Sequence, residues 1–144
     1  IEKFQLRTGA NVKIRLLQED ISNVSGWKKG MNLNAPKLFF SIHFHEFLSQ
    51  PGLIEKTVKN LKANFPNPYL LALEQPRYEE SERVNMEDYR WQYSHSNILI
   101  HHLIGNGKIL SRSGWVELFE KAGGKVISQE PMGYLGYEFF LVQL

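Results

Sequence analysis

The sequence predicts one α/β domain over residues 1–144, built on a parallel strand–helix–strand unit and closed by an antiparallel C-terminal strand. Three observations predict it. Two apolar runs of strand length, residues 38–44 and 69–73, flank residues 51–65, where Leu53, Ile54, Val58, Leu61 and Phe65 recur at helical spacing. A crossover of that kind joins parallel strands, with a right-handed turn in nearly all cases. Further on, residues 126–129 and 137–144 read as strands joined through Pro131, Gly133 and Gly136, a connection suited to antiparallel pairing. Finally, 42% of the 144 residues are hydrophobic and the net charge is only +2, so the chain can bury a core and is not disordered by composition.

The elements follow in order. Residues 12–17 alternate aliphatic side chains with Lys13 and Arg15 and stop at Gln18-Glu19-Asp20, as a short strand ending in an acidic turn. A polar, glycine-containing stretch with Trp27 inside it leads to residues 38–44, whose nearly continuous apolar character predicts a strand buried on both faces. The helix over residues 51–65 puts Lys56, Lys59 and Lys62 on its solvent side and is stopped by Pro66 and Pro68. The next strand ends at Glu74-Gln75-Pro76. Residues 86–103 read as a helix with Trp91 and Tyr93 early and Ile98-Leu99-Ile100 as its core, ended by Gly105-Asn106-Gly107. Ser113 is the expected N-cap of a helix over residues 115–122, whose Trp115, Leu118 and Phe119 share a face and whose end is marked by Gly123-Gly124.

Composition removes several function classes. No apolar stretch approaches the roughly 20 residues of a spanning helix, so no membrane partner is expected. The absence of cysteine excludes a disulfide scaffold, a thiolate zinc site and a cysteine nucleophile, and points to a reducing, cytoplasmic setting. Basic residues such as Lys28, Lys59, Lys62 and Lys121 are scattered, a poor electrostatic footprint for nucleic acid. There is no internal repeat, no Gly-x-Gly-x-x-Gly, no phosphate loop and no Gly-x-Ser-x-Gly elbow. No leader is visible before the first strand, and the chain reads as a processed product or a piece.

Open α/β sheets bind ligands beyond the carboxyl ends of their parallel strands. Asp20, His45 with Glu46, and Glu74 all stand at such ends. His45 and Glu74 belong to one strand–helix–strand unit, so one sheet edge presents both. An imidazole there can act as a base near neutral pH, and a carboxylate can orient its second nitrogen. The plainer reading makes all three strand-end polar residues satisfied by backbone. Strand alternation would put His43 and His45 on one face, as two ligands of a metal completed by His101 or His102, but no carboxylate stands at a recognised metal spacing. His95 reads as an exposed helical residue. Trp91, Tyr93 and Trp115 read as packing residues.

The order of residues 38–47, a helix, Leu71-Ala72-Leu73-Glu74, Gly105-Asn106-Gly107-Lys108 and residues 113–123 resembles the C-terminal part of S-adenosylmethionine-dependent small-molecule O-methyltransferases. His45-Glu46-Phe47 looks like the family's His-Asp-Trp, whose histidine is the general base for a substrate hydroxyl, and Glu74 resembles the glutamate that orients it. Asp20, before Ile21, is similar to the acidic residue at the adenine end of the cofactor, and Ser41 stands where the family often has a second-strand lysine. A second orienting glutamate of the family is Ile109 here. The resemblance implies a Rossmann-like, doubly wound, mostly parallel sheet, incomplete at the N-terminus, cut from a strand order of 3-2-1-4-5-7-6. It implies S-adenosylmethionine contacts at Asp20, Ile21 and Ser41, and a small-molecule methyl acceptor against Phe44, Ile100 and Ile104. It also implies a homodimer formed through regions absent from this chain. The alternative is a non-catalytic module of the same fold that serves as an interaction surface.

Overall fold

The computed structural model describes residues 2–5, 11–14, 23, 26, 28, 31–42, 44–81, 88–105, 108–132 and 136–144. β1 (Glu2–Gln5) and β2 (Asn11–Ile14) pair antiparallel in a two-stranded sheet of their own. The strand expected over residues 12–17 is therefore paired with its immediate predecessor in the chain. The acidic turn after it, including Asp20 and Ile21, lies outside the described residues.

The main sheet begins at β3 (Leu38–Ser41), which is followed by the four-residue helix α1 (Phe44–Phe47), the crossover helix α2 (Leu53–Asn64) and β4 (Tyr69–Glu74). β3 and β4 are parallel, with Leu38 opposite Tyr69 and Ser41 opposite Ala72. α3 (Asp88–Ile104) and α4 (Arg112–Lys121) come next, then β5 (Lys125–Pro131) and β6 (Glu138–Gln143). β6 lies antiparallel to both β4 and β5, giving the order β3-β4-β6-β5. That order matches the last four places of the one the resemblance implies. The described sheet is not mostly parallel, however: it has one parallel and two antiparallel pairs, because β6 returns from β5 by a short connection and inserts beside β4.

One face of this sheet carries the core. Leu70 and Ala72 of β4 and Phe140 and Val142 of β6 are buried against Ile54, Val58 and Leu61 of α2 and Trp115 and Phe119 of α4. The spacing of the α2 residues is the i, i+4, i+7 stripe that dictates an amphipathic helix. α4 starts earlier than expected. Its N-cap is Ser111, in extended backbone, whose hydroxyl accepts from the Gly114 N–H at 3.1 Å; Ser113 lies within the first turn. At its other end Gly123, at φ 91°, takes the left-handed position that a side chain disfavours. The Gly124 N–H then reaches the Phe119 C=O and the Gly123 N–H the Glu120 C=O, each at 2.9 Å, as in a Schellman ending.

Two expectations fail on burial. The 38–44 run is not a strand buried on both faces: β3 ends at Ser41, Leu38 is 60% and Phe40 59% exposed, and Phe44 begins α1. A continuous apolar run conceals alternation, and only Phe39 and Ser41 of β3 are turned toward the core side. In α3, Leu99 and Ile100 of the expected Ile98-Leu99-Ile100 core are 56% and 52% exposed while Ile98 is half-buried, and Leu103 and Ile104 are exposed as well. No helix among the described residues is long and apolar enough to cross a membrane.

Candidate active site

The two parallel strands end side by side, and the chain beyond each supplies the polar groups. Glu74 is the last residue of β4 on the core-facing register, so its carboxylate sits at the carboxyl edge of the buried face with no exposure. Past β3 the chain turns into α1, which is anchored by Phe44. That ring is 1% exposed and packs edge-on against Phe47 and Phe119 at 5.7 and 5.9 Å. Seating Phe44 places its neighbour His45 at the sheet edge.

Glu74 then grips both residues. Its Oε1 accepts the Phe44 backbone N–H at 2.7 Å, and its Oε2 accepts from His45 Nδ1 at 2.7 Å. The His45 carbonyl accepts the Lys108 N–H at 3.1 Å, which ties the segment after α3 to the same point. An ionised carboxylate only accepts, so the hydrogen-bond network assigns the proton to Nδ1 and the lone pair of the neutral ring to Nε2. The His45 side chain is 13% exposed and that of Glu74 is fully buried. This arrangement can take a proton at Nε2 while the carboxylate stabilises the imidazolium that results.

α3 closes over the edge with a polar stripe. Asn97 donates to Gln75, the Ser94 hydroxyl donates to the Pro76 C=O at 3.4 Å, and the His101 ring meets His45 edge to face, centroids 4.8 Å apart and planes at 80°. Positions 94, 97 and 101 lie on one helix face. Tyr93, one residue earlier, lies near Tyr137, just ahead of β6. Burial raises the pKa of Tyr137 above its usual 10.0, helped by Tyr93 and then by the Glu74 carboxylate, so it stays a phenol at neutral pH.

A second buried carboxylate, Glu138, lies directly across the ladder from Glu74. Like charges in that register oppose one another, and separate partners offset this. Arg112 binds Glu138 Oε1 at 2.5 Å, and Gln129 donates to Oε2 at 2.6 Å. The Arg112 guanidinium lies 4.9 Å from the centre of the Tyr78 ring, whose hydroxyl donates to the Gly136 C=O at 2.8 Å.

Of the residues singled out in sequence, His45 and Glu74 are brought together, and Ser41 ends β3 on the same edge, half-buried. Asp20, Ile21 and His43 lie outside the described residues. Phe44 belongs to the core rather than to an open wall, because its ring fills the space between Phe47 and Phe119. Ile100 and Ile104 stand on the exposed stripe of α3. The metal reading loses its premise, since β3 stops before residue 43 and His45 is helical. Among the described residues no three His, Asp or Glu side chains gather as a ligand set. The stripe Ser94, Asn97, His101 is one that sequence reasoning misses, although its i, i+3, i+7 spacing is legible.

No protein-family model matches the chain, and no curated protein does. Solved structures do share its fold. The methyltransferase CalO6 is 14% identical with a TM-score of 0.56 over 74% of this chain and 34% of its own. The pyocyanin biosynthetic protein PhzM is 10% identical with a TM-score of 0.54 over 75% and 29%. LepI, solved in complex with SAM, is 16% identical with a TM-score of 0.52 over 74% and 25%. The chain thus has the α/β arrangement of part of these proteins, and spans a quarter to a third of their length.

Proposed function

We propose that the chain is the base-carrying part of a methyltransferase that moves a methyl group from S-adenosylmethionine to a hydroxyl of a small molecule. The observation that carries this reading is the His45–Glu74 pair, at 2.7 Å, on the carboxyl edge of a parallel strand pair. It is supported by the shared fold with CalO6, a methyltransferase, and with LepI, which was solved with SAM.

When bound, S-adenosylmethionine supplies a methyl group already activated on a sulfonium. The chain's own contribution is alignment and proton removal. His45 Nε2 would take the proton of the acceptor hydroxyl, the carbon–oxygen bond forming as the carbon–sulfur bond breaks and S-adenosylhomocysteine leaves, and the imidazolium would then return that proton to solvent. Glu74 keeps the Nδ1 proton in place and stabilises the charged ring. The Phe44 and Lys108 amides hold the backbone on either side, the first through Glu74 and the second through the His45 carbonyl. The fit to the cofactor is partial. Ser41 stands on the correct edge, and Asp20 and Ile21 complete the proposed contact from outside the described residues. Ile100 and Ile104, exposed on the helix that ends beside His45, are the proposed apolar contacts of the acceptor. A cytoplasmic setting and a dimer formed through other parts of the protein belong to the same reading.

The test is calorimetric titration of the protein with S-adenosylhomocysteine, followed by transfer of labelled methyl from S-adenosylmethionine to a panel of hydroxyl compounds. Binding and His45-dependent incorporation are expected. If the complete protein neither binds nor transfers, the reading fails and the non-catalytic interaction module replaces it.

A further inference from the structure

We propose that His101 is a positioning residue for His45, holding the imidazole from its flank while Glu74 holds it from Nδ1. The inference rests on the reading of His45 as the base. The terminal torsion of histidine is broad, so a ring packed against its flank adds to the restraint that the Nδ1 hydrogen bond supplies. The edge-to-face contact at 4.8 Å and 80° is the preferred geometry for two aromatic rings and opposes such tilting.

His101 is itself fixed by the way α3 sits. The helix docks by Asn97 to Gln75 and Ser94 to Pro76, and leaves Leu99, Ile100, Leu103 and Ile104 exposed. Residues 75 and 76 directly follow Glu74, so the strand end that carries the carboxylate also seats the helix that carries His101. The two restraints on His45 therefore share one frame. The side of α3 turned to the sheet edge carries Ser94, Asn97 and His101 together with the half-buried Ile98.

The experiment compares His101→Ala and His101→Phe in the complete protein, with His45→Ala alongside. It reads kcat, KM for the acceptor and the order parameter of the His45 ring from carbon-13 relaxation in the labelled protein. His101→Ala is expected to lower kcat about tenfold with KM nearly unchanged, the scale of a modest loss of alignment. The same variant loosens the His45 ring. His101→Phe keeps the ring face without nitrogen and is expected to restore both. A Phe variant as slow as Ala, or an Ala variant with unchanged kcat and ring order, overturns the positioning role. Unchanged turnover in His45→Ala instead overturns the base assignment, and the ring-order measurement still decides whether His101 restrains its neighbour.

Discussion

Replacing Glu74 by glutamine keeps the shape of the side chain and removes its charge, which isolates what the carboxylate contributes. Glu74 is fully buried and accepts two hydrogen bonds at 2.7 Å, from the Phe44 amide and from His45 Nδ1. A glutamine has one acceptor oxygen where the carboxylate has two. If that oxygen stays with Phe44, its NH₂ group faces His45 and can only donate, so Nδ1 must carry the lone pair and the proton moves to Nε2. The ring is then in the wrong tautomer to accept a proton. If the amide flips, the Phe44 N–H is left buried without its partner. The first arrangement keeps both hydrogen bonds in the wrong tautomer; the second leaves a buried donor unpaired, at a cost of about 1–3 kcal/mol in folding stability. In the first arrangement the catalytic loss is the larger effect, about 10²- to 10⁴-fold in turnover, because the proposed base is then disabled. Urea unfolding measures the first number, and methyl transfer by the complete protein the second. Nitrogen-15 spectra of the imidazole report the tautomer directly. A Glu74→Gln protein that keeps the lone pair on Nε2, its full stability and a turnover within threefold of the original refutes the reasoning.

Three further outcomes follow from the geometry. Gly124→Ala places a Cβ 2.6 Å from Val142 Cγ1 and 3.2 Å from the Phe119 carbonyl, and Val142 is fully buried, so urea unfolding should show a loss of about 1–3 kcal/mol. Arg112→Met leaves the buried Glu138 carboxylate with Gln129 alone. Because the Arg112 side chain is 42% exposed, the cost should fall to about 1–3 kcal/mol, below that of a fully buried pair, and Glu138→Leu in the same chain should recover most of it. For Tyr137 the folded pKa lies above the unfolded 10.0, so the folded state binds the proton more tightly. Its contribution is present below about pH 10 and is lost as pH rises through the folded value, and Tyr137→Phe should reduce the alkaline loss of stability in parallel unfolding series.

The parts of the molecule that were legible in sequence are those where one local pattern has one physical reading. The α2 stripe reads only as an amphipathic helix, and the strand-end rule puts His45 and Glu74 on one edge. Legibility failed where burial depends on distant partners. Residues 38–44 are mostly apolar, and nothing local says that among the described residues β3 pairs on one side only or that the chain is helical from Phe44. Ile98, Leu99 and Ile100 resemble a helix core, yet α3 docks by Ser94, Asn97 and His101, a choice set by Gln75 and Pro76 some twenty residues away. The Tyr93–Tyr137 contact joins residues more than forty positions apart, and neither carries a spacing signal for the other. The cap shifted from Ser113 to Ser111 because both are good caps and only backbone geometry selects between them.

The claim at the centre of this account is that His45 removes the acceptor proton. The most direct test is His45→Ala in the complete protein, with turnover and S-adenosylhomocysteine affinity measured on the same preparation. Turnover should fall about 10²- to 10⁴-fold while the affinity stays within about twofold. Unchanged turnover would contradict the assignment of the base, whatever the cofactor affinity.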